Sequence, residues 1–231
     1  MMIKFSTAVR VALAVLLIYS GYLVLLASSL PPEIFKPLFS EQGPFEEMSI
    51  VLWVALGAML MFHDARSPRV LALAALSFVF AAREADLHKA FTVMSIEKIK
   101  FYLSPDVPVL QKIIGGLVFL AVIALILHLA RLCWQFFFRQ GGLRTPVGQV
   151  LILPVLLLPL SKILDRFSNV LKEAFDIHLS YTVNQFIAAF EEGMEMAMPV
   201  LFIVALLLYR AGRREAAGAA ADTSLLQQGK R

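Results

Sequence analysis

The stretch Phe190-Glu191-Glu192-Gly193-Met194-Glu195-Met196 decides the fold. It sits inside an otherwise apolar run from Tyr181 to Tyr209, and 14 uncharged, mostly apolar residues separate Glu195 from Arg210. The acids therefore lie within a membrane-spanning segment and not beyond its end. A carboxyl group at that depth is costly, and by default it marks a function with a partner nearby.

Working outward, apolar residues make up 59% of the 231 residues and charged residues 16%, with a mean hydropathy of +0.77. A water-soluble domain of this length has too little interior to hide so much apolar side chain, so the solvent is lipid. Crossing ~30 Å of hydrocarbon takes about 20 residues of helix. Such windows recur at 8–28, 45–62, 69–88, 108–130, 146–166 and 182–209. The sequence predicts an all-α integral membrane protein: one bundle of about six transmembrane helices over 1–210, then a disordered cytoplasmic tail at 211–231. That tail is rich in Ala, Gly, Ser, Gln and charge. Lys4, Arg10 and Ala27-Ser28-Ser29 flank the first span as they would a signal peptide, but the apolar run is long for one and reads as a retained helix.

Lys and Arg are sorted by side. Lys4 and Arg10, Arg66 and Arg69, then Arg131, Arg139 and Arg144, then Arg210, Arg213 and Arg214 fall on alternate connections. The positive-inside rule makes those connections cytoplasmic and puts both termini inside. The net charge of +4 needs no nucleic acid to explain it. Cys133 stands alone, which excludes an internal disulfide and a CxxC metal or redox motif.

Four spans can be measured from their cytoplasmic charged ends. Glu47 is separated from His63 by 15 intervening residues, Arg83 from Arg69 by 13, Lys162 from Arg144 by 17, and Glu195 from Arg210 by 14. Similar counts at one rise per residue mean similar height, so the four clusters meet in the outer third of the bilayer. Helical spacing puts Asn184, Glu191 and Glu195 on one face and Lys162, Arg166, Asn169 and Glu173 on another, with Asp165 beside them. In the third span Glu84 shares a face with His88, and Arg83 with Asp86. Glu46 and Ser49 line up above Trp53.

The layer holds the acids Glu46, Glu47, Glu84, Asp86, Asp165, Glu191, Glu192 and Glu195 against the bases Arg83, Lys89, Lys162 and Arg166. Such an excess of carboxyl groups in a low-dielectric site takes up protons or binds a cation, or in the bland case the ion pairs lock helices together. Glu191 and Glu195 form the core of the expected site. Asp86, His88, Glu191 and Glu195 are the candidate ligands for a divalent metal. With a metal, its bound water would be the nucleophile of a membrane hydrolase acting on a lipid or lipid-linked substrate. One carboxylate would then be the general base, and Arg83 or Lys162 would stabilise the oxyanion. His63, His128, His88 and His178 could in principle ligate two haems, although His178 and His63 fall in connections. The EExxxR motif of CAAX-processing proteases fails at its arginine, and the late HxxxH of ceramidase-like hydrolases is missing.

The stretch from Arg83 to Thr92 (Arg83-Glu84-Ala85-Asp86-Leu87-His88-Lys89-Ala90-Phe91-Thr92), with Glu46-Glu47 and Glu191-Glu192-Gly193-Met194-Glu195, resembles a group of uncharacterised bacterial multi-pass inner-membrane proteins. The resemblance covers spans two to six. It implies a bacterial inner membrane location and importance for these motifs, with the site facing the periplasm, and it supplies no activity. From the sequence we expect an acidic polar site that binds a cation, proton or metal, together with a lipid headgroup. The alternatives are the metal-dependent hydrolase and an assembly protein held by interhelical salt bridges.

Overall fold

The computed structural model describes residues 5–40, 42–92, 94–96 and 98–228, with the side chains of residues 88, 90 and 220–228 left aside. All regular structure among the described residues is helical. Six long helices run α1 (Thr7–Ser29), α3 (Pro44–Asp64), α4 (Pro68–Glu84), α7 (Val109–Trp134), α8 (Pro146–Phe175) and α9 (Tyr181–Gln228). Three short ones, α2 (Pro32–Leu38), α5 (Leu87–Ala90) and α6 (Ile99–Leu103), lie in the connections.

The helix boundaries follow local chemistry. Ser6 caps α1 by accepting the Val9 N–H, and Thr145 caps α8 by accepting that of Gly148. Proline sits in the first turn of α2, α3, α4 and α8, where its missing N–H costs nothing. Pro154 and Pro159 stay inside one continuous α8, and Pro199 inside α9.

Five helices, those of 7–29, 44–64, 109–139, 146–175 and 181–219, have the length and hydropathy to cross a membrane. This corrects the expected six. The third expected span, 69–88, ends at Glu84 after 17 residues, a rise of about 26 Å at 1.5 Å per residue. Asp86 then adopts a left-handed conformation, with φ 51°, and breaks the helix. α9 continues to Gln228, because Ala, Arg, Glu and Gln are good helix formers, and residues 211–219 are exposed.

The helices stand side by side in alternating directions. α9 is central and packs on α8, α3 and α1, while α4 packs on α3 and α7. One end of the bundle gathers the start of α1, the α3–α4 turn, the start of α8 and the Tyr209 level of α9. There Gln149 accepts the Ser6 N–H at 2.7 Å, and the His63 and Tyr209 rings meet edge-on at 5.7 Å. At the opposite end Phe35 and Phe39, from the connection between α1 and α3, pack on Leu23, Ala27 and Ala189. The connection between α1 and α3 therefore closes over α1 and α9.

Two apolar clusters fill the half nearer the arginines. One joins Trp53, Leu56, Leu60, Ala74, Ala81, Met198 and Leu206; the other joins Val9, Ala12, Val150, Leu201 and Ala205. Most other large apolar side chains, those of α7 above all, point outward, as they must where the solvent is hydrocarbon.

Gly193 lets α1 approach α9. A β-carbon there would fall 2.4 Å from Leu23 Cδ1, and Leu23 is itself buried on all sides. Tyr19 donates to the Gly193 carbonyl at 3.1 Å across the same contact. Gly193→Val should destabilise the folded protein by about 1–3 kcal/mol through overpacking. A lowered thermal midpoint in detergent would show it, and an unchanged midpoint would mean that α1 is not held at this point.

Candidate functional site

Glu195 is the centre of the polar layer and is 6% exposed. Two helices converge on its carboxylate and a third on its backbone carbonyl. From α8, Ser161 Oγ donates to Oε1 at 2.8 Å and Lys162 Nζ lies 3.0 Å from the same oxygen. From α4, Arg83 Nη1 stands 3.9 Å away while bonding Glu84 Oε1 at 3.0 Å. From α3, Ser49 Oγ donates to the Glu195 backbone carbonyl at 3.4 Å, so α3 registers on the same turn of α9. Pro199, four residues on in α9, has no N–H to give that carbonyl, and Ser49 supplies a donor in its place.

Further carboxyl groups crowd this ion pair. Glu84, 8% exposed, lies within hydrogen-bonding reach of Glu195, and Asp165 within reach of Glu191. Glu192 faces Glu195, Glu191, Glu46 and Glu84. Glu46 accepts the backbone N–H of Gln42, which pins it at the start of α3. Six carboxyl groups thus surround two bases, Arg83 and Lys162. Two carboxyls can hydrogen-bond to each other only when one of them carries a proton. The layer therefore holds more carboxyl groups than its own two bases can neutralise.

The structure brings together Arg83, Glu84, Lys162, Asp165, Glu191, Glu192, Glu195 and Glu46. Other expected members stand apart. Glu47 is exposed on the outer side of α3. Asp86 lies past the end of α4 and pairs with Lys89 at 2.8 Å on the surface, because the helical face it was expected to share with Arg83 stops at Glu84. Arg166, Asn169 and Glu173 are exposed, since the inward face of α8 belongs to Ser161, and Lys162 reaches round to Glu195. Asn184 accepts from Ser168 Oγ at 2.7 Å and ties α8 to α9 above the site. The His88 side chain lies outside the described residues.

Ser161 is the participant that sequence reasoning missed. It is fully buried, so it holds Glu195 in place and offers no accessible nucleophile. Its signal was present: it is the residue beside Lys162 at the height the residue counts had set. No group of three or more His, Cys, Asp and Glu side chains is placed to hold a metal among the described residues. His128 is exposed on α7, while His63 rests on Tyr209.

The class defined by fold and site is a multi-pass α-helical membrane protein with a buried, acid-rich polar layer. No protein-family model, no curated protein and no solved structure matches the chain.

The ion pair can be tested as a unit. Lys162→Met leaves a buried carboxylate short of a base and should cost about 1–3 kcal/mol, less than a fully buried pair because Lys162 is half exposed. Adding Glu195→Gln should recover most of that loss. Chemical unfolding in detergent reads both, and a double variant no more stable than Lys162→Met would show that the two groups are not coupled.

Proposed function

We propose that the chain is a bacterial inner-membrane protein whose acidic layer binds protons, in competition with a small cation. The carrying observation is the set of six carboxyl groups around Arg83 and Lys162, with Glu84 against Glu195 and Asp165 against Glu191. Arg83 is shared between Glu84 and Glu195, and Lys162 between Glu195 and Asp165, so two bases serve six carboxyl groups and the excess must find its compensating charge elsewhere. Uptake of protons or a cation does this directly. A lipid headgroup enters this reading only through an amine, because the two groups that would hold its phosphate are taken.

Orientation follows from charge. The arginine-bearing ends, Arg66 and Arg69 between α3 and α4, Arg139 and Arg144 before α8, and Arg210, Arg213 and Arg214 on α9, lie at the end of the bundle where His63 meets Tyr209. By the positive-inside rule that end is cytoplasmic, which puts the acidic layer toward the periplasm. A metal-dependent hydrolase is not favoured by the geometry. The carboxylate best placed to bind a metal, Glu195, has Lys162 and Arg83 against it, and Asp86 is at the surface.

Infrared difference spectra of the purified protein in lipid provide the test. Raising the pH should remove a band of protonated carboxyl groups. Glu84→Gln and Glu191→Gln should each take away part of that band. Adding sodium, potassium or a simple alkylammonium ion at fixed pH should weaken the band if that ion competes. Elemental analysis of the same sample reads bound metal. A folded protein with neither protonated carboxyls nor any bound cation would sink the reading and leave the ion pairs as structural links.

A further inference from the structure

The acidic layer is unequally connected to the two sides of the membrane. Toward the α8–α9 junction at 176–180, the site is open: Arg83, Lys162 and Asp165 keep 34%, 41% and 42% of their side-chain surface exposed. They stand where α4 ends, while α8 continues from Lys162 to Phe175. Beyond this level α8 carries Arg166, Asn169 and Glu173, all exposed, so the way out of the site on this side runs along polar side chains.

Toward the arginine-bearing end, the same helices close. One turn below Glu84 and Ser49, the rings of Phe80 and Trp53 stack at 4.6 Å, and Phe202 of α9 meets Trp53 at 5.8 Å. Trp53 is 2% exposed and Met198 4%. Leu157 and Leu158, one turn below Ser161 and Lys162, pack against the same cluster. Beneath this plate come Leu56, Leu60, Ala74 and Leu206.

No proton carrier interrupts that barrier. Residues 48–62 of α3, 70–82 of α4, 145–161 of α8 and 196–209 of α9 contain no Asp, Glu, His, Lys or Arg. Ser77 is buried there, but its hydroxyl donates to the Leu73 carbonyl of its own helix at 2.9 Å. On the α1 side, Tyr19 is engaged by the Gly193 carbonyl. A cavity of about 280 Å³ between α1, α8 and α9 is lined by apolar side chains apart from Tyr19 and Ser20, and it lacks the polar partners that would hold a chain of water.

We infer that the acidic layer is loaded and emptied from one face of the membrane only, the face where α8 joins α9, and that Trp53, Phe80 and Phe202 form the seal against the other. The inference rests on the proton-binding reading and gives it a direction. The groups facing Glu195 are Arg83 and Glu84 from α4, Lys162 and Ser161 from α8, and Glu192 along α9, with Glu191, Asp165 and Glu46 next to them. All of them stand on the open side of the seal. A site of this kind senses or buffers the ions of one compartment, or works on a ligand there; it does not carry protons across.

The experiment uses the full chain in vesicles containing a trapped pH dye, with valinomycin and potassium clamping the potential. An imposed pH gradient should decay across wild-type vesicles no faster than across protein-free ones. Trp53→Ala, with Phe202→Ala as the second variant should the first not fold, should speed the decay at least several-fold. Glu195→Gln added to either should remove that increase. A wild-type leak that disappears in Glu195→Gln would overturn the one-sided access. A folded Trp53→Ala and a folded Phe202→Ala that both hold the gradient like wild type would overturn the assignment of the seal. The infrared band of protonated carboxyls, read on the same vesicles, separates the two claims: its absence defeats proton binding, whereas its presence beside a Glu195-dependent wild-type leak defeats one-sided access alone.

Discussion

The Glu195 carboxylate must be neutralised where water is scarce, and the packing of this protein depends on how that is done. Its partners come from helices far apart in the chain: Arg83 from α4, Lys162 and Ser161 from α8, with Ser49 of α3 on the carbonyl of the same residue. Hydrocarbon provides no hydrophobic drive to bring helices together, because lipid tails are as apolar as leucine side chains. Close packing and satisfied polar groups must take that role. Glu195 supplies the polar part and Gly193, two residues away, the close packing against Leu23. Less than one turn of α9 therefore registers four neighbouring helices.

That arrangement has an electrostatic consequence. Two bases serve six carboxyls: Arg83 stands between Glu84 and Glu195 and Lys162 between Glu195 and Asp165, while Glu191, Glu192 and Glu46 crowd around the same point. A purely structural lock would need one acid for each base. Replacing an ion pair in a dry interior by apolar groups is often neutral or better for stability, so four surplus carboxyls are a cost that packing does not explain. That cost is the physical argument for the proposal that the layer handles charge as its task.

Much of this was legible in the sequence and some was not. The lipid environment, the helical bundle and the common height of Arg83, Lys162 and Glu195 followed from hydropathy and residue counts, because rise per residue is nearly constant in a helix. Side-chain direction was harder. Periodicity alone placed Arg166 with Lys162, whereas the structure turns the face of Ser161 inward and leaves Arg166 exposed. A helical wheel gives relative angles but no absolute rotation when both faces are apolar. Asp86 was misplaced for a different reason: its left-handed conformation ends α4, and a local backbone break inside a polar run leaves no hydropathy signal.

The shortness of α4 connects these points. At 17 residues it rises about 26 Å, against ~30 Å of hydrocarbon, and its missing turn falls at the level of the acids. Had α4 continued as apolar helix for that turn, Arg83 and Lys162 would be sealed in on both sides and the surplus carboxyls cut off from any source of protons. Ending the helix at Glu84 instead puts its last two side chains, one base and one acid, at the edge of water, while Phe80 one turn lower remains stacked on Trp53. In the proposed reading, the same early stop that disqualifies α4 as a full crossing opens the layer on one side, while the stack of Phe80 on Trp53 closes it on the other.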